Sequence, residues 1–242
     1  MTTEPYVIRV DDLEVQVIRK DIKHLHLGVY PPNGRVRVAA PLALSDQALR
    51  MAVIDRLAWI RKHQATFAAQ PRQSEREMVS GESHYYLGRR YRLRVVESPG
   101  PSRVTVPNRS TIELSVRAGI GVEERQLVLQ RWYRERLREL VPPILDKWQG
   151  IIEVHAAAWG IKRMKTKWGA CTVEAQRIWL NLELAKKPVQ CLEYVIVHEL
   201  THLVERHHNE RFVSLMDGYL PSWRNVRDVL NQEPLAHAEW TY

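Results

Sequence analysis

The segment Cys191–Leu203 constrains this chain more than any other stretch of its 242 residues. Its apolar residues recur at helical spacing, and the run is interrupted by His198, Glu199 and His202. Two histidines four residues apart on a helix share one face, about one turn from each other. Burying such groups unpaired is costly, and a zinc ion removes that cost because it binds neutral imidazoles. The spacing therefore predicts one zinc ion bound by both histidines, with Glu199 placed to accept a proton from the water that zinc activates.

A hydrolytic zinc site needs a third protein ligand and an open position. Glu205 shares the helical face of the two histidines, but the helix from His198 to Glu205 spans about 10.5 Å, which is too long for the ligands to converge. The chain must turn first, and the polar stretch that ends at Asn209 suits such a turn. Either His207 or His208 is then the expected third ligand, and the spacing alone does not choose between them.

Several motifs in the C-terminal half resemble those of the YgjP-like zinc metallohydrolases, compact bacterial relatives of the SprT and WLM metallopeptidases. The matching residues are Lys167-Trp168-Gly169-Ala170-Cys171, Arg177-Ile178-Trp179-Leu180-Asn181, Val197 to Leu203, and His208-Asn209 with Phe212. The resemblance implies a gluzincin-like zinc hydrolase whose third ligand is His208. It departs from the family pattern where Ala170 replaces a serine and where His207, rather than asparagine, precedes the third histidine. It does not define the natural substrate.

The same motifs contain the residues expected to bind substrate, Lys167, Trp168 and Asn181. The predicted reaction is hydrolysis of a peptide bond, with Glu199 as general base. The reaction also needs a donor for the developing oxyanion. Candidates for that donor are Lys167, Asn181, His207 and Arg224, each of which is more simply interpreted as structural. Cys171 is expected to be a small packing residue rather than a metal ligand or nucleophile.

The net charge of +8 favours acidic partners. Besides a peptide or protein substrate, two alternatives stay open: hydrolysis of a nucleoside triphosphate or another phosphoanhydride, and a DNA-associated protease or nucleic-acid-binding protein with a structural zinc. Arginines cluster at 89–94 and 131–138. A solvated outer face explains both clusters most simply, and a phosphate-binding groove is the sharper alternative.

The sequence indicates a cytoplasmic protein that makes no membrane contact. It contains no run of eighteen uncharged apolar residues, and its first residues lack the basic and apolar regions of a signal peptide. Its two cysteines, Cys171 and Cys191, do not make a disulfide framework.

The order of the expected elements indicates an α+β fold. A β-rich N-terminal region with one helix, residues 1–118, precedes a zincin-like catalytic region, residues 119–242, built from a long helix, a β-hairpin, the metal-binding helix and a closing helix. The N-terminal helix is expected from Asp46 to about Ala69, followed by a linker over residues 70–80. Prolines 142 and 143 are expected to restart or kink the long helix, which then continues to Trp159.

Overall fold

The computed structural model describes residues 4–30, 34–69, 76–164 and 167–232, and it divides into two compact units, Met1–Arg72 and Gln73–Tyr242. Sheets and helices occur in both units, so the expected α+β class is confirmed. The expected division at residue 118 separates a β-rich part from a catalytic part of the sequence. This boundary between a β-rich region and a catalytic region stays a prediction.

Within residues 4–30 and 34–69, the first unit combines one four-stranded sheet with two helices. The strands are β1 (Tyr6–Val10), β2 (Leu13–Lys20), β3 (His26–Tyr30) and β4 (Arg35–Pro41), and the helices are α1 (Asp46–Ile54) and α2 (Leu57–Ala69). The spatial order is β1-β2-β4-β3, with β2 parallel to β4. Alternate valines of the central strands are fully buried with Leu49 and Ile60 from the helices, as expected for a sheet with one covered face.

The single helix expected from Asp46 to Ala69 was wrong, because the chain tightens between Ile54 and Leu57. The amide of Asp55 still bonds to the carbonyl of Met51, but the next amide, that of Arg56, bonds to Val53 only three residues back at 3.1 Å. This shorter turn ends α1 and α2 begins directly after it.

In the described part of the second unit, the chain forms two sheets, four α-helices and one short 3-10 helix. Its first sheet has β5 (Ser83–Tyr86), β6 (Arg89–Glu97), β7 (Arg103–Asn108) and β8 (Thr111–Val116), in the order β5-β6-β8-β7 with β6 parallel to β8. Its second sheet has β9 (Ala158–Lys162), β10 (Gly169–Thr172) and β11 (Arg177–Asn181), in the order β10-β11-β9 with β11 parallel to β9. The helices are α3 (Val122–Ile152), α4 (Val189–Thr201), α5 (Glu210–Tyr219) and α6 (Trp223–Gln232), and a short 3-10 helix covers Leu182–Lys186.

Helix α3 is continuous through Pro142 and Pro143, so the expected restart at these prolines was wrong, and the alternative of a kink stays a prediction. Leu137 and Val141 before them, and Leu145 after them, are all buried in one core. Burial on both sides outweighs the roughly 3 kcal/mol that an interior proline costs a helix.

The end of α3 also differs from the expected continuation to Trp159. The helix stops at Ile152, where Glu153 adopts a left-handed conformation with φ of 60° and its amide bonds to the carbonyl of Gln149. Residues Ala158–Lys162 then form β9, which pairs with β11. The expected helix was therefore too long. Its last residues belong to a strand, and the partner of that strand lies about twenty residues further along the chain.

Residues 70–75 of the linker or loop expected over residues 70–80 lie outside the described residues, and residues 76–80 form neither helix nor strand, which agrees with the expectation. One residue of this segment is nevertheless buried. Met78 is 1% exposed and belongs to the core of the second unit. Its amide donates to the carboxylate of Glu82, which also bonds to Arg76 at 3.0 Å. This largely polar segment therefore contains one residue, Met78, that packs in the core.

The core of the second unit places α4 at its centre. This helix packs against α3, α5 and α6, and against strands β10 and β11. None of the described helices combines the length and the apolar character that crossing a membrane requires.

Candidate metal centre

Helix α4 with its C-cap residue carries the two motif histidines and Glu199, and most of the helix surface is buried. Nine of its thirteen residues are buried, among them Glu199. The helix ends at Thr201, and the amide of the capping residue His202 still bonds to the carbonyl of His198 at 3.3 Å. The second histidine of the motif therefore lies at the point where the chain leaves the helix, which allows the following residues to fold back.

A short turn after α4 brings His208 to the two histidines of the helix. One ring nitrogen each of His198, His202 and His208 lies within 4.8 Å of the other two, so the group could hold a metal ion, and Nε2 of His208 is 3.0 Å from Nε2 of His198. The turn ends at Asn209, whose side chain caps α5 by accepting a hydrogen bond from the amide of Phe212 at 2.9 Å. Of the two histidines that the sequence left open, the structure brings His208 into the group.

The ring of Phe212 packs against the rings of all three histidines. The centroid of its ring lies 5.0 Å from that of His198, 4.8 Å from that of His202 and 4.8 Å from that of His208. The phenylalanine is 3% exposed. One buried aromatic ring therefore contacts all three imidazoles, a role that sequence spacing did not assign to it.

The donor set fits a divalent cation. Burial, together with His202 and His208, lowers the pKa of His198 to about 3, so its ring is neutral and a lone pair is available. Burial also lowers the pKa of His202. Nδ1 of His202 lies 3.2 Å from the carbonyl oxygen of Glu205, and a proton on Nδ1 donated to that oxygen leaves Nε2 free to bind a metal. Nitrogens bound tetrahedrally to one zinc are about 3.3 Å apart, close to the observed 3.0 Å.

Glu199 lies beside this group in a setting that favours its neutral form. It is 5% exposed, and burial raises its pKa to about 8, while Lys167 acts in the opposite direction. A cation bound by the histidines would lower that pKa again, since opposite charges stabilise the carboxylate. The carboxyl group is therefore poised to exchange a proton near neutral pH.

Strand β10 comes so close to this carboxyl group that any side chain at residue 169 would overlap it unless a neighbouring group moved. A Cβ there would lie 2.4 Å from Oε1 of Glu199 and 2.8 Å from Cγ1 of Val195. The W-G-A-C motif thus supplies the backbone wall that holds Glu199 in place.

The histidines and Glu199 open into a cavity of about 610 Å³. Its walls come from β10 and the residues on either side of it, from α4 and from α6. Lys167 and Trp168, both expected to bind substrate, line this cavity. Cys171 lines it as well, and burial, with a smaller effect of Glu199, raises the pKa of its thiol to about 11. A thiol that stays protonated is neither a ready metal ligand nor a nucleophile.

Asn181, the third residue expected to bind substrate, does not line the cavity. It is fully buried, and its amide donates to the carbonyl oxygens of Met164 and Lys167, each at 2.7 Å. Its side-chain oxygen accepts a hydrogen bond from the amide of Glu183. Asn181 therefore holds the segment that leads into β10, which differs from the substrate contact that the sequence suggested.

Two candidates for the oxyanion donor also lie outside the cavity. Arg224 forms an ion pair with Asp217, with Nη2 and Oδ2 3.1 Å apart. His207 is exposed and its amide bonds to the carboxylate of Glu205. Of the four residues considered, Lys167 alone lines the cavity.

Tyr194, Arg206 and Arg227 are among the residues of the cavity that sequence reasoning missed. Tyr194 lies one turn before His198 on the same helix face, and the two ring centroids are 5.8 Å apart. That spacing was visible in the sequence. Arg227 comes from α6, and no local pattern connects it to the motif.

Paired histidines on a buried helix, a third histidine beyond a turn and a buried glutamate facing a cavity define the class of metal-dependent hydrolases. A family model described as YgjP-like, metallopeptidase domain, matches residues 24–233. The chain belongs to this YgjP-like family.

A comparison with solved structures found a likeness to a chain from the crystal structure of the metallopeptidase zymogen of Pyrococcus abyssi abylysin. The two chains are 17% identical with a TM-score of 0.35, over 38% of this chain and 95% of that chain. No curated protein matches the chain.

Proposed function

We propose that the chain is a zinc-dependent metallopeptidase. The observation that carries the proposal is the convergence of His198, His202 and His208 on the cavity that also contains the buried Glu199. Three imidazole nitrogens with a position open to the cavity are the donor set of many catalytic zinc sites. Membership of a metallopeptidase family supports peptide hydrolysis over other hydrolytic reactions.

The residues of the chain divide the work of hydrolysis between them. Zinc, when bound, supplies Lewis acidity that polarises the substrate carbonyl and activates a water molecule. Glu199 accepts the proton that this water loses as it attacks the carbonyl carbon, and then delivers it to the nitrogen of the leaving amine. The low exposure of Glu199 strengthens its interaction with the reacting atoms and limits proton exchange with solvent.

The edge of β10 supplies a binding surface for an extended peptide. Among the described strands, β10 pairs with β11 alone, so its other edge carries backbone groups that are not used within the sheet. A peptide that adds to this edge would gain main-chain hydrogen bonds and would run beside Glu199, because Gly169 and Glu199 are in contact distance.

Two measurements test the proposal. The purified full chain is expected to contain close to one equivalent of zinc by elemental analysis and to hydrolyse members of a peptide and protein panel. Glu199→Gln should retain zinc and lose most activity, because the amide cannot accept the proton. Glu193→Gln is the matched control, since this carboxylate lies on the same helix but bonds to Lys147 and Trp148 instead of facing the cavity. Equal activity of Glu199→Gln and the control removes Glu199 from the mechanism.

A second candidate function, hydrolysis of a phosphoanhydride, is favoured by one observation. Lys167, Arg206 and Arg227 give the cavity three cations, which suit a polyphosphate. Incubating the zinc-loaded chain with a panel of nucleoside triphosphates, and separating the products by ion chromatography, tests this candidate. Absence of turnover for every nucleotide ends it.

A further inference from the structure

We propose that the cleft selects peptides with a carboxylate close to the bond that is cleaved, and that Arg227 binds this carboxylate. The inference rests on the proposed peptidase function and adds the chemistry of its substrates. It follows from the charges that line the cavity, from the way α6 is fixed beside α4, and from the availability of the Arg227 guanidinium.

The charges of the cavity wall do not balance. Its cations are Lys167, Arg206 and Arg227, and its acidic residues are Glu174 and Glu199. Glu174 lines the cavity beside Arg206, 3.2 Å away, and offsets the charge of that arginine within the wall. Glu199 is the general base of the proposed reaction and must exchange protons freely. Lys167 and Arg227 are therefore left to meet charge brought by a substrate, and the bound metal would add further positive charge.

Helix α6 is held firmly beside the metal-binding helix, so Arg227 has a defined position. Trp223, the first residue of α6, is 8% exposed and stacks on Tyr194, with ring centroids 6.2 Å apart and an interplanar angle of 7°. Tyr194 in turn contacts His198 at 5.8 Å between centroids. The guanidinium of Arg227 lies 5.1 Å from the centroid of the Trp223 ring. A chain of aromatic contacts thus connects Arg227 with the metal site.

The guanidinium of Arg227 is available to a ligand. The guanidinium pairs with the carboxylate of Asp228, the next residue along the chain, at 3.3 Å. Both side chains are well exposed, at 44% and 62%, and an ion pair of this kind contributes little because water screens it. A substrate carboxylate that enters the cavity can instead form two parallel hydrogen bonds with the planar guanidinium.

A carboxylate can reach this position from two sources. In a peptide bound along β10, alternate side chains would point into the cavity, which places an aspartate or glutamate side chain there. A free C-terminal carboxylate offers the same chemistry if cleavage occurs close to the end of a peptide. Matched peptides with an amidated or a free C-terminus separate these two sources.

The first experiment profiles cleavage by the zinc-loaded full chain on a diverse peptide library, with the products identified by mass spectrometry. We expect aspartate and glutamate to be enriched about tenfold at one subsite beside the cleaved bond. Arg227→Gln should abolish the preference, and Arg227→Glu should reverse it towards lysine and arginine. Arg224→Glu is the matched control, because Arg224 contacts the same tryptophan at 4.5 Å but pairs with Asp217 outside the cavity, and it should keep the acidic preference.

The second experiment measures binding without turnover. Fluorescence anisotropy with the Glu199→Gln full chain compares two labelled peptides that differ only by aspartate or asparagine at the preferred subsite. The aspartate peptide should bind about tenfold more tightly, and the difference should vanish when Arg227→Gln is added. If no peptide of the library is cleaved, an aspartate scan of one extended peptide identifies the position at which the aspartate and asparagine peptides are compared.

The outcomes separate the two claims. Cleavage without an acidic preference, or a preference that Arg227→Glu leaves intact, overturns the role of Arg227 while the peptidase function stands. Binding that depends on the carboxylate and on Arg227, with no cleavage of any peptide, overturns the peptidase function and keeps the carboxylate site. Equal binding of the two peptides overturns the inference whatever the activity.

Discussion

Replacing Gly169 with alanine should impair catalysis while leaving every metal ligand in place. The new methyl group would lie 2.4 Å from Oε1 and 2.8 Å from Cγ of Glu199, and 2.8 Å from Cγ1 of Val195. Ordinary van der Waals contact begins near 3.4 Å, so the carboxyl group must retreat by about 1 Å. A displacement of this size in a catalytic group costs about 10²-fold in rate, or ~2.7 kcal/mol. We expect kcat to fall by about that factor, with KM and zinc content close to those of the wild type.

The same contact should be measurable in stability. Overpacking of this kind typically costs about 1–3 kcal/mol. In a Glu199→Ala background the contacts with the carboxyl group are gone while the contact with Val195 remains, so the cost of Gly169→Ala should decrease by at least ~0.5 kcal/mol. Urea unfolding of the wild type, the two single variants and the double variant measures this coupling.

Gly218→Ala is the control for this prediction. Gly218 lies in α5, and an added Cβ would meet no atom of the described residues within 4 Å. Alanine should leave kcat unchanged there and stabilise the helix by up to about 1 kcal/mol. The reasoning is refuted if Gly169→Ala keeps wild-type kcat, or if its cost in stability is the same with and without the Glu199 side chain.

Three further predictions follow from the geometry and charge of the chain. His208→Ala should lower the zinc content of the purified chain far more than His207→Ala, because only the former belongs to the histidine group; equal losses contradict this assignment. Burial, with a contribution from Arg76, lowers the pKa of His84 to about 4. Below pH 6.5 the unfolded chain therefore takes up a proton that the folded chain accepts only near pH 4, and stability should fall across that window by about 3 kcal/mol more than in His84→Gln. Urea unfolding at pH 7.5 and pH 4.5 checks this difference, and an identical loss in both proteins excludes it. Finally, the net charge of +8 predicts weak DNA binding that decreases steeply with salt, and absence of binding at low salt in an electrophoretic assay removes that expectation.

The sequence was sufficient to place α4 and its motif because both depend on local periodicity. Apolar residues at helical spacing form one apolar face, and this face is buried in the fold. Histidines four residues apart on the same helix then share a face. The need for a turn before the third ligand followed from the rise of a helix alone. The choice between His207 and His208 did not follow from spacing, because it depends on the path of the turn that Asn209 ends.

The parts that sequence reasoning missed depend on contacts between distant segments. Strand β9 carries a sequence that also suits a helix, and its state is set by pairing with β11. Parallel pairing of β6 with β8, and of β2 with β4, joins segments separated along the chain. The restart expected at the prolines of α3 rests on their local cost and leaves out the burial that offsets it. In each case tertiary packing overrides a local preference.

In the cavity, the residues proposed for hydrolysis are close together in the sequence, whereas the residues that would select the substrate are brought there by tertiary packing. The groups for hydrolysis lie within one short stretch, from His198 to the supporting Phe212, and a chain with this stretch can assemble them through one helix end and one turn. The walls come from elsewhere: β10 is positioned by β11 and by the hydrogen bonds of Asn181, and Arg227 is positioned by the stacking of Trp223 on α4. Changes in those walls can therefore alter which substrate binds without disturbing the ligands. For this reason a motif in the sequence identifies a hydrolase, whereas the choice of substrate depends on residues that only the fold brings beside it.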